Sequence, residues 1–290
     1  MTSPLTEPHL TGAQLDRAFE ECACDLFRQF AATLGGELDE SSQGGRHLSF
    51  PSHMMFKSAW RTRLTADTAD DYIAETIDWF RSRNVDDFGW WTHAGTTPDD
   101  LGHRLVAHGF EQLSRKSVLD PNVPSTAQGA PVMAADLSTI DESVLNKVPS
   151  GFRIERAASE ADLQAFQHII SVGFSTAPQV GAAWSDATRH VGADRTPWRL
   201  YLGWLDGEPV ATNVVTEGGG IVGVWNIATL AAHRGKGLGA AITVAPLLEA
   251  RTKGYRYAGL FASALGAPVY ERLGFQFTGT RLNRFAWKNV

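Results

Sequence analysis

Cysteine is nearly absent. The only two, Cys22 and Cys24, stand at alternate positions of one segment and supply no disulfide framework, so the chain reads as a reduced, cytoplasmic protein. The opening MTSPLTEPHLTGAQ has no basic stretch followed by an apolar run, and a signal peptide is not expected. Long hydrophobic runs are missing too: the nearest to a span of ~18 residues is Ile221 to Ala232, which Asn226 and Thr229 interrupt. No membrane partner is expected. Nor is there an excess of positive charge. Lys and Arg number 26 against 32 Asp and Glu, a net charge of −6 that gives no electrostatic case for nucleic acid. The nine histidines form no His-Glu-x-x-His or comparable ligand set, so no metal is expected. Hydrophobic residues at 43% and charged residues at 20% exclude a disordered, collagenous or coiled-coil chain.

What is present alternates between helical and strand periodicity. Leu15, Phe19, Cys22, Leu26, Phe30 and Leu34 recur at three- and four-residue spacing before Gly35-Gly36, which predicts an amphipathic helix over 11–35 with Cys22 on its buried stripe. A strand over 54–64, a helix over 67–83, the aromatic strand 88–92, and a helix from Pro98 to Gly109 leading into Phe110 follow. Residues 121–150 hold Pro121, Pro124, Pro131 and Pro149 among Ser, Thr, Gly and Asn, and read as a connection between a domain over 1–120 and another over 151–290. In the second half the pattern predicts strand 152–156, helices 160–172 and 181–191, and strands 198–205 and 209–216 joined by Asp206-Gly207. Then come strand 221–230, a helix to Lys253, strand 257–262, a helix after Pro268, and strand 275–287. The fold class is α/β, with a mixed sheet. Pro246 inside the helix that ends at Lys253 predicts a kink, because it removes the N–H that would bond to the carbonyl of Ile242.

The segment from Ala232 to Ala240, AHRGKGLGA, joins a strand directly to a helix. Glycines at alternate positions let backbone amides converge, and a helix start offers unpaired N–H groups and a positive dipole end to an anion. Three phosphate-binding patterns compete. The Walker spacing is not met. Gly235, Gly237 and Ala240 fit a loose dinucleotide pattern, but the following strand ends Leu260-Phe-Ala-Ser263 without the acid that pattern needs. Arg234, Gly237 and Gly239 fit the third, Arg-x-x-Gly-x-Gly.

On this loop, and on Tyr270-Glu-Arg-Leu-Gly274-Phe275 beyond it, the second half resembles the GCN5-related N-acetyltransferase (GNAT) superfamily. The resemblance implies acetyl-CoA as cosubstrate, held by Thr229, Leu230, Arg234, Gly235, Lys236, Gly237, Leu238, Gly239 and Ala240. It implies direct attack by an amine on an acyl carbonyl polarised by a backbone N–H near Thr229–Leu230, with Tyr270 beside the departing sulfur. Many relatives carry a glutamate on the central strand, yet 221–230 contains no acid. Glu217 and Asn226 are the candidates for base and water-orienting residue.

Ala107-His-Gly-Phe110 echoes Arg272-Leu-Gly-Phe275, with Leu105 where the second half has Tyr270 and no glycine loop before it. The first half is therefore expected to be a degenerate GNAT-like domain that does not bind the cofactor in the usual way. Each domain is expected to be a mixed, mainly antiparallel sheet flanked by helices. Trp60, Trp79, Trp90 and Trp91 are expected in a core. The expected activity is acetyl transfer to a primary amine of a small molecule. The alternatives are a non-catalytic acyl-CoA sensor or interaction module, and a protein or peptide N-terminal acetyltransferase.

Overall fold

The long stretch from Phe152 to Phe275 obeys its periodicities almost residue for residue. In a computed structural model, which describes residues 3–50, 53–93, 95–113 and 129–289, strands β7 (Phe152–Arg156), β8 (Arg199–Leu205), β9 (Glu208–Gly218) and β10 (Ile221–Thr229) form an antiparallel meander. β11 (Tyr257–Phe261) joins β10 in parallel through the crossover helix α6 (Leu238–Thr252), and β6 (Ala130–Asp136) lies beyond β11. Asp206 and Gly207 both take positive φ (52° and 90°), the conformation that a two-residue hairpin between twisted strands demands. Helix α4 (Glu160–Gly173) starts at a capping box: the Ser159 hydroxyl accepts from the Asp162 N–H, and the Asp162 carboxylate accepts from the Ser159 N–H.

α6 covers one face of this sheet, where Ile242, Val244, Leu247 and Ala250 pack with Tyr201, Ala211, Val215, Val222 and Val224. Strand alternation turns Thr212, Thr216 and Trp225 to the other face. There Phe19 of α1 (Gly12–Leu34) stacks on Trp225 at 5.4 Å, and α4 and α5 (Pro178–Val191) complete the layer. At Pro246, where a kink is expected, α6 continues without interruption. The reason lies on β9. The buried Asn213 amide donates to the carbonyl of Ile242 at 2.8 Å, replacing the donor that the proline lacks.

The chain divides into two units, Met1–Leu26 with Met133–Thr278, and Phe27–Val132 with Gly279–Val290. The second unit contains β1 (Glu37–Glu40), β2 (Gly45–Leu48), β3 (Lys57–Trp60), α2 (Ala69–Arg81), β4 (Asp87–Thr92), α3 (Leu101–Ala107) and β5 (Glu111–Gln112). Most of β12 (Gln276–Lys288) belongs to it as well. Its sheet order is β1-β2-β3-β4-β12, with β3 and β4 parallel across α2 and the other pairs antiparallel; β5 also pairs with β12. A hairpin, a parallel crossover through a helix, and a further helix thus occur in both units. Phe27 and Phe30 of α1 pack on His47, Phe56 and Trp60. Trp60 and Trp90 are buried as expected, and Trp79 packs partly buried against the same core with the guanidinium groups of Arg46 and Arg83 at 5.7 and 4.0 Å from its ring.

This division differs from the expected domains 1–120 and 151–290. Of the expected connection, 121–128 lie outside the described residues; the rest forms β6 and a 3₁₀ turn, Glu142–Asn146, with Leu137 and Ile140 in the core. Proline and serine density marks an absence of helix, but the apolar run of β6 fits a buried strand equally well. The predicted strand 54–64 is a 3₁₀ turn, Met54–Phe56, followed by β3, and the four-residue strands β1 and β2 are too short for their periodicity to show in the sequence.

Two stability predictions follow from this packing. Asn213→Leu leaves the Ile242 carbonyl unpaired and lowers unfolding free energy by about 1–2 kcal/mol. In a Pro246→Ala background, where a backbone N–H returns, urea titration finds a smaller loss. His47 is fully buried against Phe27, and burial pushes its pKa down from 6.5 to about 3. The unfolded chain takes up that proton below pH 6.5 and the folded one does not until about pH 3, so stability falls as pH drops through this window. Replacing His47 by Leu removes about 2 kcal/mol of the stability difference between about pH 7 and pH 5, read from unfolding midpoints at both pH values.

Candidate functional site

β10 and β11 pair only at Val222–Ala258 and Gly223–Gly259. Beyond Gly223 they part. Between the pairs Trp225–Val214 and Ala228–Thr212, β10 carries two residues, Asn226 and Ile227, opposite the single Asn213 of β9. This is a β-bulge, and the extra residue bends its strand. Asn226 takes the left-handed conformation there (φ 50°), which Asn tolerates better than most side chains. Its carbonyl accepts from the Thr212 hydroxyl at 3.0 Å.

The bulge settles which backbone groups face the gap. The N–H of Leu230 donates to the carbonyl of Val210 at 3.0 Å, so of the two amides expected near the acyl oxygen this one is engaged within the sheet. Antiparallel partners alternate between bonded and non-bonded pairs, so the neighbouring Thr229, opposite Ala211, turns its N–H and C=O away from β9 and toward the β11 side. The Thr229 carbonyl there accepts from Arg234 Nε at 3.0 Å. Its N–H has no acceptor among the described residues.

After Thr229 a 3₁₀ turn, Ala231–His233, leads to the glycine loop. Gly235 and Gly237 both have φ of 79°, a left-handed region that strains residues with a Cβ. A Cβ on Gly237 would meet only ordinary contacts, at 3.7 Å from the Lys147 carbonyl and 3.8 Å from Val148, so conformation, not crowding, is what demands glycine here. On Gly239 a Cβ would come within 3.3 Å of the Thr229 hydroxyl. The first bond back within α6 runs from the Ala241 N–H to the Gly237 carbonyl at 3.0 Å. The N–H groups of Leu238, Gly239 and Ala240 are thus left without helical acceptors, and those of Lys236 and Gly237 have none among the described residues. Lys236 is exposed beside them. Converging free amides at a helix start make an anion cradle, and the donor set fits a diphosphate.

Arg234 does not extend freely into solvent. Its guanidinium bonds the carbonyls of Thr229 and, at 3.4 Å, Gly173 at the end of α4, bracing the loop against two elements. Asn226 directs its side-chain oxygen to Trp184 Nε1 of α5 at 2.9 Å. Tyr270, on α7 (Ala267–Leu273), is buried with its ring 5.9 Å from that of Phe275.

Glu217 is elsewhere. It pairs with Val222 across the hairpin, seven residues upstream of Thr229, roughly 23 Å at ~3.3 Å per residue. Its carboxylate is bonded by Arg199 and by the Tyr255 hydroxyl at 3.3 Å, with Lys253 Nζ at 3.7 Å. Burial and this carboxylate push the Tyr255 phenol up to about 12, and burial with Glu249 does the same to Tyr201. The cluster is an ion-paired brace at the far end of the strand and cannot serve as the base at the loop. Nothing in the sequence separated Glu217 from the site except its distance along the hairpin. The bulge and the contact from Trp184 have no local signal in the sequence.

The second unit closes the corresponding place. Past β3, the N–H of Thr97 donates to the Thr62 carbonyl and the N–H of Leu64 to the Thr97 carbonyl, both at 3.2 Å, so the chain after β3 stays bonded to the segment after β4. No glycine lies between β3 and α2. Among the described residues no group of three or more His, Cys, Asp or Glu is placed to hold a metal, and no helix is long and apolar enough to cross a membrane.

No family model matches this chain, and no curated protein matches it. Solved structures do. A GCN5-related N-acetyltransferase from Kribbella flavida is 19% identical with a TM-score of 0.66, over 92% of this chain and 95% of its own. A tandem GNAT protein from the clavulanic acid biosynthesis pathway is 15% identical with a TM-score of 0.56, over 99% and 98%. A GCN5-related N-acetyltransferase from Sphaerobacter thermophilus is 14% identical with a TM-score of 0.56, over 97% and 94%. With a mixed sheet parted at its centre, a glycine bend at the head of the crossover helix and these likenesses along nearly the whole chain, the protein has the fold of the GCN5-related N-acetyltransferases.

Proposed function

We propose that this protein is an N-acetyltransferase that moves an acetyl group from acetyl-CoA to a primary amine of a small molecule, using the site at the end of β10. The observation that carries the reading is the conjunction of the Gly235–Gly237 bend, with its free amides, and the unpaired N–H of Thr229 in the gap beside it. The amides of Lys236 to Ala240 would hold the diphosphate, with Lys236 adding positive charge. Acetyl-CoA, when bound, supplies the thioester and the leaving thiolate. The Thr229 N–H is the donor for the acyl oxygen as negative charge develops on it in the tetrahedral transition state. Leu230, its own N–H engaged, contributes only to the strand end.

An alkyl amine with pKa near ~10.4 costs about 4–5 kcal/mol to deprotonate at pH 7. Glu217 is bound into its ion-pair brace, so this protein meets that cost by drawing on the small neutral fraction of the amine or on a water relaying the proton outward. We assign Tyr270 to the departing sulfur. A phenol of pKa about 10 does not spontaneously protonate a thiolate of pKa about 8.5, so its contribution is a hydrogen bond to the developing charge. The distance of Glu217 from the bend is also the observation that favours a non-catalytic acyl-CoA sensor. Release of free thiol on adding primary amines separates the two readings: a protein that binds acetyl-CoA and releases no thiol with any of them is a sensor. The second unit, its strands bonded where the first leaves a gap, takes no part in cofactor binding, which predicts one coenzyme A per chain.

Isothermal titration with coenzyme A checks the loop. Gly237→Val forces a branched residue to φ near 79° and abolishes binding, because several amides lose their alignment together. Arg234→Ala removes a brace and weakens binding only about tenfold; equal affinities for both variants and the native protein would refute the cradle. Steady-state kinetics check Tyr270. Tyr270→Phe lowers kcat about tenfold with acetyl-CoA affinity unchanged, and an unaltered kcat in a folded variant reduces this tyrosine to packing.

A further inference from the structure

Asn226 is held more firmly than a surface amide needs to be. Its backbone is fixed in the bulge by the bond from Thr212, and its side-chain oxygen accepts from Trp184 Nε1. Trp184 is itself clamped. It is buried edge-on to Trp198, with ring centroids 5.9 Å apart, and Trp198 Nε1 donates to the Thr188 hydroxyl at 2.8 Å, while Ser185 ties α5 to the Leu163 carbonyl of α4 at 2.8 Å. An indole N–H can only donate, so the atom facing it must be the carboxamide oxygen. The Asn226 NH2 therefore points elsewhere. It has no acceptor among the described residues, and the residue is half-exposed.

The Cα of Asn226 is three residues from that of Thr229 along β10, at most about 10 Å. An amine poised at an acyl carbonyl on the Thr229 N–H would bring atoms a few bonds from its nitrogen within reach of Asn226. The NH2 group offers two hydrogens, no lone pair and no charge, so it can bind an oxygen acceptor but not an ammonium. We infer that Asn226, oriented by Trp184, selects the acyl acceptor: an amine carrying a carbonyl or carboxylate oxygen a few bonds from the reacting nitrogen. This rests on the acetyl-transfer reading above. Trp184 is a positioning residue, and Asn226 is the group that touches the acceptor.

The test uses an amino acid, its carboxamide, and the alkylamine of the same length without the carbonyl, assayed by thiol release. Acetyl-CoA affinity is measured by calorimetry on the same proteins. The native protein is expected to favour both oxygen-bearing acceptors over the bare amine by about tenfold or more in kcat/KM. Asn226→Asp keeps the bond from Trp184 and the shape, but replaces the NH2 with a second oxygen. It should erase the preference chiefly through KM, with the carboxylate-bearing acceptor falling further than the carboxamide, and leave acetyl-CoA affinity as it was. Trp184→Phe, which frees the Asn226 amide to rotate, should reduce the same preference through KM. Equal kcat/KM for all three acceptors in the native protein overturns the proposal, as does an Asn226→Asp variant that loses all three alike. A native protein that fails to bind acetyl-CoA at all overturns the acetyl-transfer reading itself, and this selection with it.

Discussion

The separation of β10 from β11 beyond Gly223 is the constraint on which the rest of the site depends. A parallel pair that stayed bonded to its end would satisfy the Thr229 N–H within the sheet and leave nothing to present. Two features keep the pair open. The bulge at Asn226 and Ile227 bends β10 and resets its alternation, so that Leu230 bonds β9 while Thr229 faces outward. The turn and loop from Ala231 to Gly237 then carry the chain straight into α6, whose first-turn amides open beside the gap. The N–H left unpaired on the strand and those left unpaired on the helix are thus consequences of one local geometry, and both favour charge of the same sign.

An open strand end needs support from outside the sheet. Arg234 supplies part of it by bonding the Thr229 carbonyl and the Gly173 carbonyl, which couples loop, strand and α4. Asn213 supplies another part from beneath α6, by satisfying the Ile242 carbonyl where Pro246 cannot. The helix that carries the amides therefore stays continuous beyond its first turns. Trp184 does the same for the bulge from α5. Each of these polar contacts joins a position defined by an irregularity (a proline, a bulge, a glycine bend) to a regular element packed in the core. The irregularity persists because its freed backbone groups have found side-chain partners or face the gap.

The elements of residues 152–275 were legible because their period, caps and turns agree with one another: Ser159 with Asp162, Asp206 with Gly207, and apolar alternation broken at the Gly235–Gly239 loop. The loop was legible because its glycines serve a backbone requirement that reads directly from residue type. Glu217 misled because an acid near a strand end looks alike in sequence whether it faces a ligand or Arg199, and only the hairpin register puts it at the wrong end. How the helix continues through Pro246 could not be read locally, since the donor for the Ile242 carbonyl comes from Asn213, 33 positions before the proline in the chain. The domain limits were hidden for a similar reason. Whether a terminal strand such as β12 joins the nearest sheet in sequence depends on long-range pairing, to which local periodicity is blind.

The two units show how little separates a binding crossover from a closed one. Both run hairpin, strand, helix, parallel strand, helix. In one, glycines at Gly235 and Gly237 allow left-handed turns that lift the chain off the sheet and aim amides outward. In the other the chain from Thr62 to Leu64 has no glycine and stays hydrogen-bonded to Thr97 and Gln43. Buried backbone groups must find partners, and the sequence of the connection decides whether they find them in the protein or leave them for something else. The left-handed glycine bend that lifts the connection off the sheet, more than any difference in topology, is what distinguishes the first crossover from the second.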